Sequence, residues 1–213
     1  MRTADGTAEP APPTRAARPL RADAQRNRTR VLEAARRAFA AEGLAVPLDE
    51  IARRAGVGAG TVYRHFPSKE ALFEAVVVDR LERLAEVGRA ALAEAASDAA
   101  AGPAFFGFFE TVVADAHEKM DLADALSGAG VNLCEATQIA GRDLADVLGA
   151  LMARAQAVGA VRTDVDLTDL HALTLGAVTA ERRQSDAADT TRMAHRIGRA
   201  TRVICDGLRP PAA

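Results

Sequence analysis

Apolar residues recur every three or four positions along most of this chain, the spacing that places them on one face of an α-helix. Glycine or proline interrupts the pattern repeatedly, and no stretch shows the alternation typical of a strand. The pattern therefore predicts an all-α protein of about nine helices and no internal repeat. The predicted helices span residues 23–42, 48–55, 60–66, 68–96, 103–116, 142–158, 167–183 and 188–208, and residues 121–130 are predicted to form a short helix and a glycine-rich turn.

The stretch 48–67, LDEIARRAGVGAGTVYRHFP, contains two short apolar faces separated by a glycine-rich break at residues 56–60. Gly56 stands where the first helix must end, and a left-handed conformation is cheapest for glycine there. The second helix presents Thr61, Tyr63, Arg64 and His65, whose donors suit phosphates and base edges. The stretch predicts a helix-turn-helix whose recognition helix runs from about Gly60 to Phe66.

The helices on either side complete this unit. Apolar residues of the first helix are expected to pack against the helix-turn-helix and form a three-helix domain. The predicted contacts join Leu32, Ala35 and Phe39 to Ile51, Val62 and Phe66. Ser68 is a suitable N-cap for the next helix, and Lys69 beside its free N–H groups predicts a phosphate site. A helix over residues 68–96 would be roughly 40 Å long, enough to connect this domain to a separate body.

Charge is distributed unevenly along the chain. The total is −2, but residues 1–70 contain 13 basic and 8 acidic residues, whereas the remainder contains 14 basic and 21 acidic ones. The polyanion-binding end is therefore the N-terminal end, and the acidic remainder would repel DNA. Residues 1–20 predict a disordered basic tail, which is either an arm that reaches DNA or a solvated extension. The arginines from Arg18 to Arg30 run directly into the first helix, and Arg28 is predicted to contact DNA.

Several classes of protein are disfavoured by missing motifs. The sequence has no HExxH or ExxH pair, no GxGxxG and no GxSxG, and its GVGAG follows a helix rather than a strand, so we expect no enzyme, cofactor or metal. Cys134 and Cys205 are far apart and are either buried hydrophobes or a sensing thiol. No secretory signal and no apolar run of about 20 residues is present, so we expect a cytoplasmic protein.

Four of the seven phenylalanines lie close together after residue 103: Phe105, Phe106, Phe108 and Phe109. They cover a wider arc of the helix than one packing face requires. They therefore either line a cavity or fill the core of a helical bundle that is otherwise built from alanine.

Residues 51–72, IARRAGVGAGTVYRHFPSKEAL, resemble the TetR family of bacterial transcriptional regulators. The small-residue turn, the Thr-x-Tyr-x-x-Phe and the Pro-Ser-Lys-Glu-Ala-Leu cap occur there in register. The resemblance implies a homodimer that binds a palindromic operator in bacterial nucleoid DNA, and a small-molecule effector that moves the connecting helix. A repressor is expected rather than an activator, and the alternative is a non-catalytic helical adaptor or interaction protein.

The resemblance also implies roles for individual residues of the helix-turn-helix. Thr61, Tyr63 and His65 match positions that contact DNA, Ala59 and Gly60 open the recognition helix, and Lys69 matches a phosphate contact. Tyr63 and His65 could instead be packing and surface residues, and Arg64 either contacts guanine or faces solvent. One departure is Pro47-Leu48, which replaces the threonine that many members have at the start of the second helix.

The C-terminal part is assigned only by position and pattern. The implied domains are a tail at 1–20, a DNA-binding domain at 21–67, a connecting helix at 68–96 and an effector-binding and dimerisation domain at 97–213. Candidates for an effector pocket are Phe105, Phe109, His117, Asn132, Met152, His171 and Thr174. Candidates for the dimer interface are Gly176, Ala177, Ile197, Ala200, Val203 and Ile204. The alternative for these last helices is that their apolar faces are buried within one monomer.

Overall fold

The computed structural model describes residues 17–127, 135–183 and 190–211. These residues form eight α-helices and one short 3₁₀ helix, with no strand among them, so the all-α prediction is confirmed. The helices are α1 (Ala17–Glu42), α2 (Leu48–Ala55), α3 (Ala59–His65), α4 (Lys69–Glu94), α5 (Asp98–Ser127), α6 (Glu135–Ala157), α7 (Leu167–Arg183) and α8 (Thr190–Leu208). The 3₁₀ helix Gly43–Ala45 lies between α1 and α2.

Helices α1, α2 and α3 share one hydrophobic core with the first half of α4. The six residues that the sequence predicts to be in contact are all buried in this cluster. The predicted three-helix domain of α1, α2 and α3, here named the head, is therefore confirmed. From α4 the cluster takes in Leu72, Phe73, Val76, Val77 and Leu81. The rings of Phe39 and Phe73 lie 5.7 Å apart and join α1 to α4. Because α4 contributes to this core, it is part of the head as well as the connection to the body.

Helix α1 begins at Ala17, earlier than the start near residue 23 that the apolar pattern predicts. From the predicted start onward, local interactions stabilise the helix: Asp23 and Arg26 form an ion pair, and the Thr29 hydroxyl donates to the Gln25 carbonyl at 3.1 Å. Residues 1–16 of the predicted tail lie outside the described residues.

Helix α4 begins as predicted, because the Ser68 hydroxyl accepts a hydrogen bond from the Ala71 N–H at 3.1 Å. Its 26 residues span about 39 Å. At its other end the Arg154 guanidinium donates to the carbonyls of Ala95 and Ala96. These bonds fix the short turn between α4 and α5.

Helix α5 begins at Asp98, so the predicted start near Pro103 is wrong. Pro103 lies inside the helix and removes one backbone hydrogen bond, but Ala101 and Phe105 beside it are fully buried. The helix continues without a break to Ser127, so the prediction of a separate helix from residue 121 is also wrong. Burial of the small and aromatic residues around Pro103 stabilises the helix by more than the missing backbone hydrogen bond destabilises it.

The second half of α4 packs with α5, α6, α7 and α8 around a second hydrophobic core. All four clustered phenylalanines are buried in it, as the bundle-core interpretation predicts. The helices approach closely at Gly88, where an added Cβ would lie 2.6 Å from both Phe108 Cζ and Val147 Cγ1. Helix α6 begins at Glu135, before the predicted residue 142, and its Ala140 belongs to the core of the head.

The C-terminal helices are held by caps and backbone contacts. Helix α7 starts at the predicted residue, and Asp166 caps it by accepting from the N–H groups of Thr168 at 2.7 Å and Asp169 at 3.0 Å. The Arg162 N–H donates to the Leu208 carbonyl at 2.9 Å and anchors the end of α8. Cys205 is buried, and this burial raises the pKa of its thiol to about 11, which suits a packing residue. Cys134 lies outside the described residues.

Candidate nucleic-acid interface and the adjoining cleft

The turn between α2 and α3 is built around Gly56. This residue has φ 64° and ψ 39°, the left-handed conformation that the sequence predicts. Its N–H bonds to the carbonyls of Ala52 and Arg53, and its own carbonyl accepts from Arg30 Nη2 at 3.1 Å. The turn is therefore fixed to α1, and the direction of α3 follows from it.

Helix α3 divides into a buried and an exposed face. Val62 and the following Phe66 are buried, whereas Ala59, Gly60 and Arg64 are exposed. Tyr63 is 49 % exposed, and Thr61 and His65 are half-buried. The structure therefore presents the predicted DNA-contacting side chains of α3 along one accessible helix. A helix of this kind can enter a major groove and bring its polar groups to base edges and phosphates.

The basic side chains of Arg28 and Lys69 lie next to α3 and contact other residues of the head. Lys69 Nζ donates to the Leu44 carbonyl at 2.8 Å, which links the start of α4 to the 3₁₀ helix. The Arg28 guanidinium lies 5.8 Å from the centre of the Phe66 ring, within the range of a cation–π contact. Each cation keeps further N–H donors that a phosphate could use. Both lie beside the recognition helix rather than on it.

Glu50 forms ion pairs with two arginines of α2. Arg53 and Arg54 donate to its carboxylate at 2.6 and 2.7 Å, and Arg54 also pairs with Glu42. The hydrogen bonds from Arg53 and Arg54 lower the pKa of the Glu50 carboxyl to about 2. The charge count for residues 1–70 includes both arginines as positive charges that are available to DNA. In the folded head their charge is largely balanced by Glu50 of α2 and Glu42 of α1.

A cleft of about 650 Å³ opens between α4, α5, α6 and α7. Most of its lining residues are apolar, and its size is that of a small-molecule site. Of the predicted pocket residues, Phe109, His171 and Thr174 line this cleft. Phe105 and Met152 are instead buried in the body's core and lie outside the cleft lining. The side chains of His117 and Asn132 lie outside what the structure describes.

The cleft lining includes a charged residue that the sequence analysis missed. Asp115 of α5 lines the cleft, and Arg80 of α4 donates to the Asp115 carboxylate through Nε and to its backbone carbonyl through Nη2 at 3.2 Å. Both side chains are about one-sixth exposed. They are 35 residues apart in the sequence, so no local motif could have identified the pair.

The predicted dimer residues are partly accessible within one chain. Val203 is 67 % exposed and Gly176 is exposed, while Ala177 and Ala200 are half-buried. Ile204 is half-buried against the body's own core, and the side chain of Ile197 lies outside the described part. Leu173 and Leu175 of α7, which the sequence analysis did not single out, are about half exposed. The described parts of α7 and α8 thus leave apolar surface uncovered within one chain.

The described part of the chain holds neither a metal-ligand cluster nor a membrane-spanning helix. No group of three or more His, Cys, Asp or Glu side chains in the described part could hold a metal ion. None of the helices described here is both long and apolar enough to cross a membrane.

The chain is similar to known proteins in both of its parts. Residues 31–76 match the bacterial regulatory proteins of the tetR family, and residues 100–210 match the C-terminal domain of SbtR-like transcriptional regulators. Among curated proteins, the HTH-type transcriptional regulator SrpR of Pseudomonas putida is 43 % identical over 65 residues. That match covers 30 % of each chain, so the present chain spans less than a third of this relative.

Solved structures are similar over almost the whole length. A TetR transcription regulatory protein from Mycobacterium vanbaalenii is 46 % identical, with a TM-score of 0.70 and 90 % of this chain and all of that one covered. A TetR transcriptional regulator from Streptomyces coelicolor is 32 % identical, also with a TM-score of 0.70, and the match covers 87 % of this chain and 99 % of that one. The helix-turn-helix head, the helical body and these similarities together establish that the chain belongs to the TetR family of DNA-binding transcriptional regulators.

Proposed function

We propose that this protein is a non-catalytic repressor that binds a palindromic operator as a homodimer and leaves it when a small molecule occupies the cleft. The DNA-binding domain comprises residues 21–67, with residues 1–20 as a basic tail. Residues 68–96 form the connecting helix, and residues 97–213 bind the effector and the second subunit. DNA in the bacterial cytoplasm is the site of action.

The observation that carries this proposal is the double role of Leu81. This residue of α4 is buried in the core of the head and also lines the cleft. Leu84, one turn further along α4, lines the same cleft and belongs to the core of the body. Protein cores are close-packed and transmit displacement rather than absorb it. A molecule that displaces α4 in the cleft would therefore shift the packing that supports α3.

The proposed DNA contacts follow from the accessible face of α3. Thr61, Tyr63 and His65 supply donors to the operator, and Arg64 reaches a base edge or a phosphate. Ala59 and Gly60 have no bulky side chain, so the start of α3 can approach the DNA backbone closely. Arg28 and Lys69 flank this helix and supply positive charge to phosphates, which favours binding at low salt.

The homodimer is supported by the apolar surface that α7 and α8 leave exposed. Leu173 and Val203 are each about half or more exposed in the single chain. A two-fold contact through these helices would cover the same surface on both subunits. It would also fix the distance between the two recognition helices, which must match half-sites about one turn of DNA apart.

The test is binding to fragments of the source genome at several salt concentrations, followed by footprinting of the tightest fragment. We expect a steep fall in affinity with salt, a two-fold symmetric footprint and two chains per site. An Arg64→Ala variant should bind more weakly, whereas Arg89→Ala, which removes one exposed arginine from the body, should bind as the wild type does. Absence of binding at low salt, or one chain on an asymmetric site, would refute the proposal.

A further inference from the structure

Asp115 is the one residue with an anionic side chain among the described residues that line the cleft, and it indicates the chemistry of the effector. Its partner Arg80 lies on α4 and is not among the lining residues. A molecule in the cleft is therefore next to the acidic member of the ion pair rather than the basic one.

We propose that Asp115 anchors the effector, and that the effector is an apolar molecule with a hydrogen-bond donor at one end, an amine in preference to an alcohol. This inference rests on the proposed effector function of the cleft and adds the chemical class of its occupant. An ionised carboxylate accepts hydrogen bonds and donates none, so it selects N–H and O–H groups and rejects an acid.

The rest of the lining fits the apolar part of such a molecule. Leu81, Leu84, Phe109 and Leu148 are among the residues that surround the cleft, and they give it a largely hydrocarbon wall. His171 and Thr174 of α7 supply further polar groups, but the Thr174 hydroxyl donates to the Leu170 carbonyl at 2.8 Å. The carboxylate is consequently the strongest polar anchor in the described lining.

Arg80 acts as a positioning residue for this anchor. It holds the Asp115 carboxylate from the α4 side through Nε, and its Nη2 holds the backbone carbonyl of the same residue. An amine that binds the carboxylate competes with the guanidinium for the same negative charge. A bound amine thereby weakens the ion pair between Arg80 of α4 and Asp115 of α5. Leu81, which is buried in the core of the head, is the next residue of α4 after Arg80.

The experiment uses the full-length protein and the neutral fluorophore N-phenyl-1-naphthylamine as a reporter of the cleft. Decylamine, decanol and decanoate have the same chain length and are compared as competitors that displace it. We expect displacement in that order, with decylamine about tenfold more effective than decanoate, since a hydrogen bond to a charged group accounts for about one such factor.

Asp115→Asn should remove most of the preference for decylamine over decanoate. Glu110→Gln, which removes one exposed carboxylate elsewhere on α5, should leave it unchanged. Arg80→Gln should increase the preference for decylamine, because the Asp115 carboxylate then loses its ion pair with the Arg80 guanidinium. Thermal melting of each variant verifies that it is folded, and the order of competitors within each variant does not depend on its absolute stability.

The outcomes separate the two proposals. If the fluorophore binds and is displaced equally by all three competitors, or if Asp115→Asn keeps the wild-type order, the assignment of Asp115 is wrong while the effector cleft stands. If the folded protein takes up no fluorophore, both the cleft and its anchor are refuted.

Discussion

Arg30 of α1 donates a hydrogen bond to the carbonyl of Gly56 at 3.1 Å and so joins the first helix to the turn that sets the direction of the recognition helix. Gly56 has a positive φ of 64°, and a Cβ built on it would lie 2.6 Å from Arg30 Nη2. The turn therefore depends on glycine for its backbone and for room beside the arginine.

Gly56→Ala is expected to destabilise the protein by about 1–2 kcal/mol, the cost of placing an alanine in the left-handed region. Urea unfolding monitored by circular dichroism measures it. Gly60→Ala is the matched control, because an added Cβ there has no neighbour within 4 Å, and its helical position makes alanine neutral or slightly favourable. Equal stability of the two variants would contradict the role given to Gly56.

Gly88→Ala should destabilise the body by overpacking, at about 1–3 kcal/mol. The new methyl group would press on Phe108 and Val147, and both neighbours lie on packed helices. Gly107→Ala on α5 provides the comparison, because its Cβ would enter open space. Differential scanning calorimetry should show a lower melting temperature for Gly88→Ala and an unchanged one for Gly107→Ala. A Gly88→Ala protein as stable as wild type would mean that the helices can separate at Gly88.

The Glu50 carboxyl should make the stability of the head depend on pH. Its pKa falls from an ordinary value of 4.5 to about 2 in the folded protein, so its contribution is complete above pH 4.5 and is lost as the pH falls towards 2. The melting temperature of Glu50→Gln should lie below that of wild type at pH 7, and the two should converge in acid. Glu82→Gln removes an exposed carboxylate from α4 and should show no such convergence.

Tyr63→Phe combined with Lys69→Ala should weaken DNA binding on all sequences without changing the oligomeric state. Loss of one phosphate contact is expected to reduce the salt dependence, the slope of log K against log salt, by about 0.9. Lys69 also bonds to the Leu44 carbonyl, so a stability loss of about 1 kcal/mol should accompany the change. Fluorescence anisotropy and sedimentation measure the two properties, and unchanged affinity would refute these contacts.

The head could be predicted from the sequence because its determinants are local. Gly56, Val62 and Ser68 each act within a few residues, through a turn, an apolar face and a cap. The cleft could not be predicted to the same degree. Asp115 meets Arg80 only after α4 and α5 pack side by side, and the breaking signal of Pro103 is overridden by that same packing.

The central claim is that the cleft and the DNA-binding head are linked through α4. The most direct test is the dissociation constant of N-phenyl-1-naphthylamine, measured for the free protein and for the protein saturated with its DNA fragment, with a titration of DNA alone as the blank. Linkage requires that an effector which weakens DNA binding is itself bound more weakly by the DNA complex, here by about fivefold or more. Equal dissociation constants for the two forms would contradict the account.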